Sequence, residues 1–353
     1  MNKYSLRVGI DISAQTISVT WGTTPDDDQT PITEFKQSAA GHCHLMQQLR
    51  STGHKPAHCQ VVMEATGTYW MRLAYTLQEE GFVVSVVNPV QALRLAQAQL
   101  RRAKTDAIDA RTLMELGFKL DPRPWAPPPV LYEQLYQRLR QRDALLDMRT
   151  QERNRLHALR QWPDAQPSVE ARYQAHIAFL TEQIDALLDE IERLLHSEPE
   201  WATTTRLLLS IKGIGPITAA WLMVATLNFT TCETAEQLVA FAGLAPYPRQ
   251  SGTSLKRTRG VGRGGHTRLR TALYMAAIAS VQSTPIIRHF YQRLRQRGKP
   301  AKVALCACAR KLIHIAWAVV TKKQSFQPDY GLQNFLVHCS TCIRYRIYGI
   351  ESI

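Results

Sequence analysis

Along the first hundred residues, apolar positions recur with two different periods. In "LRVGIDIS" (6–13) and "ISVTWGTT" (17–24) they alternate, the signature of half-buried strands, with a short turn around Ala14 and Gln15. "ITEFKQS" continues as a third strand. "GHCHLMQQLRS" switches to a helical period, "CQVVMEA" returns to a strand, "YWMRLAYTLQEEG" is a helix stopped by Gly81, and "FVVSVVNP" is a strand again. The order β-β-β-α-β-α-β-α predicts a mixed sheet with helices on its faces.

Beyond this region the pattern becomes helical. Three consecutive prolines in "WAPPPVLYEQL" (125–135) read as a linker, followed by a long helix over roughly 130–161 and a break at "WPDAQP" (162–167). Ile177, Leu180, Ile184, Leu187, Ile191 and Leu194 then repeat at 3-4 spacing, a heptad seam. This predicts a helical hairpin or coiled coil, packed on itself or serving a second copy of the chain, with the latter favoured because a narrow stripe on a protruding element needs a partner. The first helix carries Arg138, Arg140, Arg142, Arg149, Arg153, Arg155 and Arg160, which suit phosphate contacts. "LLLSIKGIGPITAAWLMVAT" (207–226) places Gly213 and Gly215 between two apolar helices. It reads either as a plain helical hairpin or as a helix-hairpin-helix whose backbone N–H groups, with Lys212, meet a phosphate. Residues 241–277 form a basic, glycine-rich loop leading into a helix at Thr267. Four regions result: 1–124, 125–200, 201–325 and a tail, 326–353, to which no role is assigned.

Charge sharpens this division. The net charge is +14, and from Gln237 to Pro328 there are 17 Lys or Arg and no Asp or Glu. A solubilising surface mixes signs, so this block implies a polyanion, and nucleic acid above all. No clean amphipathic helix within it suits a membrane surface, and the apolar runs read as too short to span a bilayer. The opening "MNKYSLRVGIDIS" has no signal-peptide pattern, and seven scattered cysteines suit a reduced, cytoplasmic setting. "CAC" (306–308) and "CSTC" (339–342) make a poor zinc pattern.

Four acids stand out against this background. Asp11 interrupts a core strand between Ile10 and Ile12, where a lone charge is costly unless it is paired or binds a metal. Glu64 ends the strand "VVME". Asp106 and Asp109, beside Lys104, share one side of a helix at i and i+3. The pair alone fits a solvated helix face. All four together fit a site for two divalent cations, Mg²⁺ or Mn²⁺, clamping a phosphoryl group. In the basic loop Arg249, Lys256, Arg257, Arg259, Arg263, Arg268 and Arg270 suit a phosphate backbone. Ser251 is there either a turn residue or, with its pKa lowered by the arginines, a nucleophile.

"GIDIS", "MEATGTYW", "KTDAIDA", "IKGIGPITA", "GLAPYPRQSG" and "GRGGHTRLRTALYMAA" together resemble the DEDD insertion-sequence transposases of the one-ten family and the Piv-type DNA invertases, over nearly the whole chain. The resemblance implies an α/β plus α architecture: a RuvC-like domain of the RNase H fold, a coiled-coil hairpin and a mostly helical C-terminal transposase domain. It implies Mg²⁺ held by Asp11, Glu64, Asp106 and Asp109, and Ser251 as the nucleophile, with Ser254 close by. It further implies donor and target DNA as substrates, a guiding bridge RNA, a covalent phosphoserine link, and a tetramer of two dimers whose composite sites join acids and serine from different subunits.

Overall fold

The computed structural model describes residues 3–25, 31–99, 106–251, 255–261 and 264–327. They divide into two compact units between Pro127 and Pro128.

The first unit is built on five strands: β1 (Leu6–Ile12), β2 (Thr16–Gly22), β3 (Thr33–Lys36), β4 (Cys59–Glu64) and β5 (Val83–Val87). Their order is β3-β2-β1-β4-β5, with β1, β2 and β3 antiparallel and β4 and β5 joined parallel to β1. This is the mixed sheet that the alternation predicts. Four helices cover it: α1 (Ala39–Ser51), α2 (Tyr69–Glu79), α3 (Pro89–Ala98) and α4 (Asp106–Leu120). Their ends follow local chemistry. Ser38 accepts a bond from the Gly41 N–H to start α1, and α3 begins on an Asn88–Gln91 capping box followed by Pro89.

Pleating splits the sheet into two unlike faces. Val8, Ile10, Ile17, Val61 and Met63 join Leu45, Leu49, Leu73 and Leu77 of α1 and α2 in an apolar core. On the other face Val62 and Val87 pack with Ala92, Leu113 and Leu116 of α3 and α4. That face also carries polar groups. Arg7 is 2% exposed, between the rings of Tyr4 and Phe118, with its Nη1 donating to Asp121 Oδ1 at 3.0 Å. The Gln60 amide donates to Ser85 Oγ and to the Pro122 carbonyl, each at 2.9 Å. Beyond them Trp125 still belongs to this unit: its N–H bonds the Val84 carbonyl at 2.7 Å and its ring meets Trp70 and Tyr75 edge-on.

The second unit is mostly helical. α5 (Val130–Leu159) and α6 (Pro167–Leu195) form a long hairpin. Leu180, Ile184, Leu187 and Ile191 of the heptad seam are buried within this one chain. The seam is therefore spent on α5, correcting the expectation that it presents a surface to a second copy. Four of the seven arginines are likewise used inside the hairpin: Arg138 pairs with Glu190 at 2.6 Å, Arg160 with Glu170 at 2.7 Å and Arg155 with Glu152 at 2.6 Å, while Arg149 donates to Thr181. Arg138, Arg155 and Arg160 thus each meet a local acid.

The remaining helices are α7 (Pro199–Leu209), α8 (Pro216–Ala225), α9 (Ala235–Phe241), α10 (Thr267–Ser283), α11 (Pro285–Gln296) and α12 (Ala301–Thr321). Between α9 and α10 the basic segment is not the open loop expected from its glycines. It forms a two-stranded antiparallel ribbon, β6 (Pro246–Ser251) with β7 (Leu255–Val261). α12 also corrects the reading that every apolar run is too short for a bilayer. By length and composition it is long and apolar enough to cross one, yet Cys308, Leu312, Ile315, Ala316 and Val319 are buried in the helical core. Cys306 and Cys308 both lie on this helix. Burial pushes the Cys308 thiol up to about 11, which disfavours the thiolate that zinc requires.

Candidate active site

Gly9 decides the geometry of the acid-bearing end of the first unit. A β-carbon there would stand 2.9 Å from Met114 Cβ and closer still to the Ala110 carbonyl oxygen and the Met114 nitrogen. Only glycine lets α4 lie this near β1. A β-carbon on Gly117, later in α4, would point at Val62 Cγ2 and the Arg7 side chain. Going up β1 from Arg7 to Gly9 therefore means going back along α4 from 117 to about 110. Continuing in that direction, Asp11 and the first turn of α4 are at the same end. β4 runs parallel to β1, with Ile10 opposite Met63, so Glu64 ends at that edge too. Asp11 shares its face with Gly9, and Glu64 shares its face with Val62, which packs on α4.

Asp11 is half-buried, with Ser18 as its antiparallel partner. Glu64 is half-buried, and its Oε1 accepts a hydrogen bond from Thr66 Oγ1. Asp109 is half-buried one turn into α4. Asp106 is the first residue of α4; its side chain lies outside the described residues, as does Lys104 entirely. Among the described residues, no three His, Cys, Asp or Glu side chains stand close enough to hold a metal ion. The chemistry of the four acids nevertheless fits one: carboxylate oxygens alone are the donors a hard divalent cation takes. Two aspartates in the first turn also complement the positive N-terminal end of the α4 dipole.

In the second unit the predicted phosphate contacts separate into four groups. Ser251 closes β6, and Arg249, Lys256, Arg257 and Arg259 stand on the same ribbon. Arg263 and Ser254 lie outside the described residues. Two arginines have structural roles instead. Arg268, in the first turn of α10, pairs with the largely buried Asp143 of α5 at 3.3 Å, and Arg142 shares that carboxylate at 3.1 Å. Arg270 Nη1 donates to the Gly264 carbonyl at 2.8 Å, pinning the chain that enters α10. Lys212 is exposed, but its carbonyl accepts from Ser280 Oγ at 2.9 Å and Thr284 Oγ1 at 3.0 Å. Gly213, at φ 104°, sits against Ser280 with no room for a β-carbon, whereas Gly215, the N-cap of α8, faces open space. The Gly213 turn is thus set by docking on α10, with the α8 N-terminus left approachable.

Sequence reasoning passed over Asp143 and His266. Asp143 follows Leu131, Leu135 and Leu139 at four-residue steps, an acid in an apolar register, and that signal was readable. His266 is the N-cap of α10: its Nδ1 accepts the Leu269 N–H at 3.1 Å, and its ring packs by Trp221 and Phe241. Burial lowers its pKa, its main-chain hydrogen bond opposes that, and Arg140 lowers it further.

Residues 8–161 match the DEDD transposase family of IS110 type, described as a transposase, and residues 205–292 match the family described as transposase IS116/IS110/IS902. The chain is 31% identical over 326 residues to the pilin gene-inverting protein of Moraxella bovis, spanning 90% of this chain and 97% of that protein. The chain belongs to the IS110 family of transposases. Against the uncharacterized 43.6 kDa protein of insertion element IS110 from Streptomyces coelicolor, this transposase is 37% identical over 139 residues, 39% of its own length and 33% of the relative's. A probable family 20 transposase of Pseudomonas aeruginosa is 24% identical across 91% of this chain and 98% of its own. Use of a divalent metal goes with the DEDD domain in general.

Proposed function

We propose that this transposase cuts and rejoins donor and target DNA through a phosphoserine intermediate, with Asp11, Glu64, Asp106 and Asp109 of a RuvC-like first unit as one half of the site and Ser251 as the other. The observation that supports the reading is that the parallel strands β1 and β4 carry Asp11 and Glu64 at the same edge and that Gly9 packs β1 against α4, the helix that begins at Asp106. The four carboxylates would hold Mg²⁺ or Mn²⁺, which when bound supplies Lewis-acid polarisation of phosphoryl oxygens.

The serine step is balanced. A bond forms between Ser251 Oγ and phosphorus while the phosphorus–oxygen bond to one deoxyribose breaks. The serine proton ends on the departing oxygen, leaving a free hydroxyl. Attack by a hydroxyl of another strand reverses the step and rejoins DNA, because the ester keeps the energy of the broken bond. The acid-free block supplies phosphate contacts that carry no sequence information. Choice of site is delegated to a bridge RNA whose loops pair with donor and target, and the working particle is a dimer of dimers that joins acids of one subunit to the serine of another.

Denaturing gels of the protein with element-end DNA test this. Wild-type protein should leave a covalent protein–DNA adduct, and Ser251→Ala should not; Asp11→Ala should abolish cutting. Strand cutting by Ser251→Ala at the wild-type rate, without adduct, would instead make the protein a junction nuclease using water. Unaltered recombination by Asp11→Ala would leave only a nucleic-acid binder.

A further inference from the structure

Three segments that meet the sheet at its acid-bearing edge are tied together by one residue. β1 and β4 run parallel, and β3, antiparallel to β2, runs with them. The chain therefore leaves β1 after Ile12, β3 after Lys36 and β4 after Glu64 at the same edge, and enters β2 there at Thr16. In the order β3-β2-β1-β4, β3 and β4 are three strand spacings apart, about 14 Å. Gln37, the first residue past β3, spans that gap. Its amide donates to the Tyr69 carbonyl at 2.7 Å, at the start of α2. Its main-chain N–H donates to the Gln15 carbonyl at 2.8 Å, in the turn between β1 and β2.

The amide has one way round. A carbonyl only accepts, so the Gln37 NH₂ faces Tyr69 and its Oε1 faces His42 Nε2, 2.9 Å away, which must carry the proton. His42 is 3% exposed in the first turn of α1, and burial, followed by the charge of Arg72, lowers its pKa and keeps the ring neutral. The corner that presents Gln37 is tight as well. The Lys36 carbonyl accepts the Ser38 N–H at 2.8 Å, and a β-carbon on Gly41 would collide with that same carbonyl.

Each tie ends close to an acid in the chain. Gln15 is four residues past Asp11, in a turn that the Ser13 N–H closes on the Thr16 carbonyl at 2.9 Å. Tyr69 is five residues past Glu64, at the far end of the loop whose Thr66 hydroxyl donates to the Glu64 carboxylate.

We propose that Gln37 is a positioning residue. By clasping the turn that follows Asp11 to the loop that follows Glu64, it fixes how those two carboxylates are offered to a divalent cation, and His42 sets the clasp by orienting the Gln37 amide. Gln37 acts through the backbone of the two segments and, on the Glu64 side, through Thr66. The positioning role rests on the reading of Asp11 and Glu64 as metal ligands; the clasp itself does not. Outer hydrogen bonds that orient metal ligands are worth about 10–100-fold in metal affinity or activity.

The test uses the full-length protein, with Mn²⁺ as the probe. The free-ion EPR signal reads binding, with Asp11→Ala as the blank, and hydrogen exchange reads the peptides spanning 13–16 and 65–69. In Gln37→Leu both peptides should exchange faster than in wild type, and Mn²⁺ affinity should fall by at least about 10-fold. The Mn²⁺ midpoint for cutting element-end DNA, with its adjoining non-coding transcript present, should rise in step. His42→Leu should share the defect. His42→Gln, which keeps an N–H for the Gln37 oxygen, should recover most of it, a distinction that a histidine serving only to fill space does not make. Gln47→Leu, on the exposed side of α1, should behave as wild type. Where Gln37→Leu gives no cooperative urea transition, the two His42 variants carry the same comparison. Unchanged exchange in both peptides overturns the clasp. Faster exchange with wild-type Mn²⁺ affinity in Gln37→Leu, while Asp11→Ala has lost the ion, overturns the positioning role, as does an equal shift in Gln47→Leu. Faster exchange with Mn²⁺ binding indifferent to Asp11→Ala as well keeps the clasp and overturns the metal reading of the acids.

Discussion

Gly9→Ala is a one-carbon change with a large expected effect. The new β-carbon would meet Met114 Cβ at 2.9 Å, where carbon atoms prefer about 3.5–4.0 Å. The Ala110 carbonyl oxygen and the Met114 nitrogen are nearer and belong to the backbone, which cannot rotate away. α4 must then lift from β1 by about 1 Å, and overpacking of this kind costs roughly 1–3 kcal/mol. Urea unfolding should register that loss. The larger effect should be on strand cutting. α4 begins at Asp106 and carries Asp109, and if these act with Asp11 and Glu64 as proposed, a displacement of about 1 Å between them costs on the order of 100-fold. Gly117→Ala is the matched control on the same helix, because there a β-carbon meets side-chain atoms and no backbone: Val62 Cγ2 at 3.1 Å, Arg7 Cδ at 3.6 Å and Gln60 Oε1 at 3.7 Å. Gly9→Ala that unfolds within about 0.5 kcal/mol of wild type and cuts at the wild-type rate would refute the reasoning. So would Gly117→Ala with an equal or greater defect.

Arg268→Ala should cost about 1–3 kcal/mol by stripping a partner from the shielded Asp143, with the figure held down by the exposure of Arg268 and by the remaining Arg142; it should leave the salt dependence of DNA binding unchanged, and a slope lowered by about one unit would return Arg268 to the phosphate contacts. His266 is held neutral, its folded pKa below the ordinary 6.5. Its contribution to stability is therefore present above pH 6.5 and drains away as pH falls toward the folded value. Urea midpoints at pH 7.5 and 5 should draw closer together in His266→Asn, which keeps the cap acceptor without the titration, and an unaltered gap would reject the assignment. Gly213→Ala combines an unfavourable φ of 104° with a β-carbon 2.7 Å from the Ser280 nitrogen, and should destabilise the second unit by at least about 2 kcal/mol in thermal or urea unfolding.

The first unit was largely legible because its signals are local. Alternation gives β1 through β5, Gly81 and Pro89 punctuate the helices, and an acid in the middle of an apolar strand marks itself. The second unit was less so, because charge reveals a sign without revealing a partner. Arg268 and Arg257 look alike in the sequence; one meets an acid more than a hundred residues earlier and the other stands opposite a like charge. The heptad seam is equally mute about whether its complement is α5 or another molecule. Glycines and prolines at 246–265 hid a ribbon, since the alternation of Tyr247, Arg249 and Ser251 with their partners becomes visible only once the register is known.

The closeness of α4 and β1 also sets when the first unit can finish folding. The helix that leans on the first strand is encoded about 95 residues later, and closing a chain of that span costs about 4 kcal/mol of entropy. A ribosome must deliver everything through Leu120 before α4 can pack in full on β1 and the first unit can close.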